Sequence, residues 1–140
     1  MLMDILAGVV CGLAMGTICL GVGIYILMSN RDMYDRLSKF LPQGFSPTVV
    51  MLGLVIGVPP VWVLLGAIAG LAYRLVDDSF PNAGLGSPNF VFTVAILCLA
   101  ALATLILLLI RKRLVWLGLL INIAFAGIFG WLLPLLANWR

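Results

Sequence analysis

The sequence predicts an all-α membrane protein, a bundle of four transmembrane helices forming one integral membrane domain over residues 1–140. Three observations lead there. Of the 140 residues 64% are hydrophobic and only 9% charged, against about half and about a quarter in a soluble domain, and the mean hydropathy is +1.26. There is too little polar surface to cover a water-soluble globule. Four apolar runs, at about 5–28, 48–73, 90–110 and 114–137, each reach the length of about 20 residues that a helix needs to cross a hydrocarbon core about 30 Å thick. None of the runs alternates polar and apolar residues with period two, so the backbone groups that lipid cannot satisfy are paired within helices and not around a barrel.

The first span opens with Asp4 at its edge and then places Gly8, Gly12 and Gly16 in four-residue register. Glycines so spaced make a groove into which another backbone can fit, and close packing is what drives helix association in lipid. The expected use is a helix–helix contact, within the bundle or between protomers. The run lacks the basic n-region of a cleaved signal peptide and is too long for one, so it is read as a retained span.

The first loop predicts a short amphipathic helix, cytoplasmic or interfacial. Met33, Leu37, Phe40 and Leu41 share a face, Asp32/Arg36 and Asp35/Lys39 are opposite charges four apart, and Pro42-Gln43-Gly44 stops it. Its near-cancelled charge makes it a poor electrostatic lipid anchor; a docking helix for a partner subunit is the functional alternative.

The second span starts after Ser46-Pro47, a capping residue before a proline at the first helical position. It carries Gly53, Gly57, Gly66 and Gly70, with Pro59-Pro60 near its middle. Neither proline can donate to the carbonyl four residues back, so a kink or break is expected there. Residues 77–88 are dense in turn formers and are expected to connect the spans, with Ser87-Pro88 heading the third. The third span is uniformly apolar apart from Thr93 and Thr104. The fourth follows Arg111-Lys112-Arg113 and spaces Gly118, Asn122, Ala126 and Gly130 four apart. Asn122 is the amide deepest in any span. A buried amide in lipid is costly unless bonded, so it is expected to face a partner helix. Trp116, Trp139 and Tyr73 fall where interfacial aromatic belts sit.

Basic residues orient the chain. The first loop carries Arg31, Arg36 and Lys39 and the third Arg111, Lys112 and Arg113, six in all; the other side has Arg74 and Arg140. Loops one and three are therefore expected in the cytoplasm of a cell-membrane protein, with both termini outside. The net charge of +3 reflects this bias and gives no reason to expect a nucleic-acid partner.

Chemistry is scarce. The chain has no histidine, which removes His-ligated metals and His-based proton transfer. Cys11, Cys19 and Cys98 form no Cys-x-x-Cys pair and read as small apolar residues, although a Cys11–Cys98 bridge would match in depth. Asp77 and Asp78 are too few for a cation site. No ionisable group lies at mid-span, where a membrane enzyme or proton-coupled carrier keeps one. Small multidrug carriers share the four-span size, but the carboxylate they hold in the middle of the first span has no counterpart here. The expectation is a non-enzyme without a cofactor: an accessory subunit that meets lipid and other integral membrane subunits, or itself, through the glycine faces. The alternative is a small oligomeric channel or transporter built on the Pro59-Pro60 break and Asn122.

Overall fold

A computed structural model of the protein describes residues 2–29, 46–80, 89–110 and 115–139, together with Asp32, Asp35 and Lys39. Among the described residues the secondary structure is helical, and four segments are long and apolar enough to cross a membrane. Helix α1 is Leu2–Ser29, α2 is Pro47–Ser79 and α3 is Phe90–Ile110. The fourth span is composite: α4 (Val115–Gly127), a π-helical turn (Ile128–Leu132) and α5 (Leu133–Ala137).

Two features differ from the sequence expectation. First, α2 does not stop near Tyr73. It runs on through Arg74, Asp77 and Asp78 to Ser79, giving 33 residues and a length of about 50 Å, which overreaches the hydrocarbon core. Turn-forming composition loses here to local bonding. Arg74 pairs with Asp78 at 3.0 Å, one turn apart, and Ser79 Oγ donates back to the Leu75 carbonyl at 2.8 Å. Second, of the kink or break expected at Pro59-Pro60, the break is not formed: the helix is continuous through both prolines. Proline removes a donor but its fixed φ is helical, so flanking turns can carry the chain onward. The interruption in regular α geometry lies instead in the fourth span, immediately before Pro134.

The four segments alternate in direction. Helix α1 is central: one stripe of it meets α2 and another meets the end of the fourth span. The buried core joins Ala7, Cys11 and Met15 of α1 to Phe129, Leu133 and Ala137 of the fourth span, with Tyr73 of α2 and Phe92 and Ile96 of α3. Trp62 stacks on Phe129 with ring centroids 6.4 Å apart, and Tyr73 meets Phe92 edge-on at 5.1 Å. Outward positions such as Leu64, Ile68, Leu105, Leu109 and Ile123 are exposed large apolar side chains, as suits a surface solvated by lipid. Burial concentrates at the end of the bundle that carries both chain termini and the second connection. Toward the opposite end the glycines of α1 and α2 (Gly21, Gly23, Gly53 and Gly57) face open space, while α3 and α4 still meet at Leu107 and Gly118.

Candidate functional site

The glycines of α1 bring two helix backbones into direct contact, and their partner is α2 of the same chain. A Cβ placed on Gly8 would lie 2.9 Å from the Gly66 carbonyl carbon and 3.0 Å from the Gly70 nitrogen. One on Gly12 would lie 2.9 Å from the Trp62 carbonyl carbon and 3.1 Å from the Gly66 Cα. The relation is reciprocal: a Cβ on Gly66 would meet the Gly12 nitrogen and Cα at 2.9 Å, and one on Gly70 the Asp4 carbonyl carbon at 3.0 Å. Those obstacles are backbone and cannot swing aside. At Gly16 the clearance relaxes to 3.1 Å from the Trp62 Cβ and 3.3 Å from the Pro59 Cα. Glycine is needed along this seam because two backbones occupy the space a side chain would take.

The fourth-span series with the same spacing is a different object. A Cβ on Gly118 would approach only the tip of Leu107, at 2.9 Å, a side chain that can move. Gly130 has ordinary contacts with Ile96 and Thr93 at 3.7 and 3.9 Å, and Ala126 is half-buried. These residues do not form a second glycine seam. Asn122 does meet a neighbouring helix. Its Nδ2 donates to the Ala100 carbonyl and to Thr104 Oγ1, both at 2.6 Å. Ala100 is the middle residue of α3, so the amide is satisfied at mid-depth by the adjacent span.

At the packed end a polar cluster joins α2, α3 and the fourth span, and most of it escaped the sequence reading. Asn89 is fully buried and serves two helix ends at once. Its Nδ2 donates to the Phe80 carbonyl just past α2, at 3.1 Å, and to Asp77 Oδ1 at 3.2 Å. Its Oδ1 accepts the Phe92 N–H in the first turn of α3, at 3.3 Å. Helix ends leave such groups unpaired unless something caps them. The cap of α3 is thus Asn89, and Ser87-Pro88 lies outside the described residues. Ser46 does stand before α2, but its side chain makes no capping bond. Tyr73, expected in an interfacial belt, is buried and its hydroxyl accepts from Asn138 Nδ2 at 2.6 Å. Trp116 and Trp139 are exposed. Asp4 is buried in the first turn of α1, with its backbone against Gly70.

The remaining candidates separate widely. Cys11 is buried, Cys19 half-buried and Cys98 exposed, and all three are free thiols; the bridge is not formed, and Cys98 is not a buried residue. Among the described residues no three cysteine or carboxylate groups converge as metal ligands would. The proposed docking residues Met33, Leu37, Phe40 and Leu41, and the Arg111-Lys112-Arg113 cluster, lie outside the described residues. No family model, curated relative or solved structure matches the chain.

The arrangement holds helices together. Its polar side chains at depth are hydrogen-bonded to backbone or to one another, and its charges sit toward helix ends.

Proposed function

We propose that this protein is a non-catalytic accessory subunit of a larger membrane complex, surrounded by lipid and by other integral membrane subunits. The observation that carries the reading is the state of Asn122. The amide deepest in the bundle donates to Ala100 and Thr104 of the adjacent helix, the bonding of a packing residue and not of a solute contact. The placement of charge supports it, since none of the Asp, Lys or Arg residues falls at mid-span, where transport or proton chemistry would need one. Because α2 covers the Gly8–Gly12–Gly16 face, association with other subunits is assigned to the outward faces of α2 and α3.

The test is purification from native membranes in a mild detergent, followed by mass measurement and reconstitution. The reading predicts a stoichiometric assembly heavier than the chain, and ion or solute flux no higher than in empty vesicles. Flux carried by the isolated chain would overturn it in favour of a channel or transporter. The proposed orientation, with both termini and the second connection outside, predicts that Ser87→Cys reacts with an impermeant maleimide on intact cells. Labelling only after lysis would invert it.

A further inference from the structure

Two facts about the fourth span belong together. In a regular α-helix the Gly130 carbonyl would accept from the residue four positions on, but that residue is Pro134, which has no N–H. The hydroxyl of Thr93, on α3, lies 2.9 Å from that same carbonyl, in a buried position. Thr93 Oγ1 is also 3.2 Å from the Asn89 carbonyl, yet that oxygen already accepts the Thr93 backbone N–H. The single hydroxyl proton is best used on Gly130.

Just before this point the Leu133 N–H bonds the Ile128 carbonyl, five residues back. The turn therefore contains one residue more than an α turn. One residue of α-helix is about 100° of rotation. Positions four apart drift by about 40° per step in a straight α-helix, so from Phe125 to Ala137 the drift would be about 120° and would carry Ala137 toward lipid. Instead Phe129, Leu133 and Ala137 are 2%, 0% and 3% exposed. The extra residue turns the last segment back onto α1.

We propose that Thr93 and the π turn form a register latch. Thr93 supplies the donor that Pro134 lacks, the wide turn is held, and the terminal segment is rotated so that Leu133 and Ala137 face α1 and Asn138 reaches Tyr73. The latch is internal to the chain and does not depend on any partner.

Four variants of the full-length protein in one detergent test it by thermal unfolding and size-exclusion profile. Thr93→Val should lower Tm by about 5 °C, as expected for a buried acceptor left without its donor, while Thr93→Ser should keep most of that stability. Deleting Trp131, an outward residue of the wide turn, makes the Ile128–Leu133 bond an ordinary α bond and leaves downstream facing unchanged; this variant should stay monodisperse. Deleting the outward Ile123, in one of the regular α turns, rotates everything beyond it and should abolish monodisperse protein. Thr93→Val matching wild type, or Thr93→Ser falling as far as Thr93→Val, would show that the hydroxyl is not the latch. A Trp131 deletion as damaging as the Ile123 deletion would show that the turn does not set the register.

Discussion

At the end of the bundle that carries the termini, glycines of α1 lie against glycines of α2; toward the other end, glycines of the same two helices meet nothing. Gly23 is seven residues beyond Gly16 and shares its face to within about 20°, yet a Cβ there would find no atom within 4 Å. Gly53 and Gly57 of α2 are equally bare. Spacing is therefore not what makes a glycine a contact. What matters is the residue at the same height on the neighbour. The helices run antiparallel, so Gly8 falls at Gly66 and Gly70, Gly12 at Trp62 and Gly66, and Gly16 at Pro59 and Trp62.

That contrast yields predictions of graded size. Gly66→Leu should prevent recovery of monodisperse protein, because backbone atoms of Gly8 and Gly12 stand where the side chain must go; Gly57→Leu should purify like wild type by size exclusion. Equal behaviour of the two would erase the distinction between the ends. Asn89→Ala is the largest expected polar effect, about 3 kcal/mol in reversible unfolding, since it removes a cap and leaves buried groups of two helices unpaired. Asn122→Ala, in the α3–α4 pair, should cost about 1 kcal/mol, a smaller loss than at Asn89; the reverse order would move the weight of polar stabilisation away from the packed end. Tyr73→Phe should cost about 1 kcal/mol or less, because Asn138 keeps a second acceptor in the Pro134 carbonyl. Arg74→Ala should change unfolding by under about 0.5 kcal/mol, as expected for an exposed pair.

The four spans were legible because lipid leaves a chain little choice: long apolar runs must be helical, and α3 occupies the expected residues, 90–110. The far end of α2 was not legible, since Asp77-Asp78-Ser79 has a turn-like composition and its helix is supported by side-chain bonds one turn apart and by Asn89. The α1 stripe was visible, but its partner was not. Gly53/Gly57 and Gly66/Gly70 are identical as patterns, and only helix direction and height separate them. The likeness between the α1 and fourth-span series was misleading for the same reason, because Gly118 and Gly130 face side chains. Asn89 lies between the turn-forming segment and the third span and was given no role. A signal was present, an amide immediately before an apolar run, but the nearby Ser87-Pro88 gave the same signal. The wide turn in Ile128–Leu132 has no signature of its own; Pro134 was the available hint.

The central claim is that backbone contact within one chain, and not glycine spacing as such, organises this bundle. Thermal unfolding of Gly12→Ala beside Gly23→Ala, in the same detergent, puts it to the test with one methyl group at each site. The account predicts a fall of about 10 °C or more for Gly12→Ala, from overpacking against backbone, and an unchanged or slightly raised Tm for Gly23→Ala, from better helix propensity in open space. Similar shifts for the two variants would contradict it.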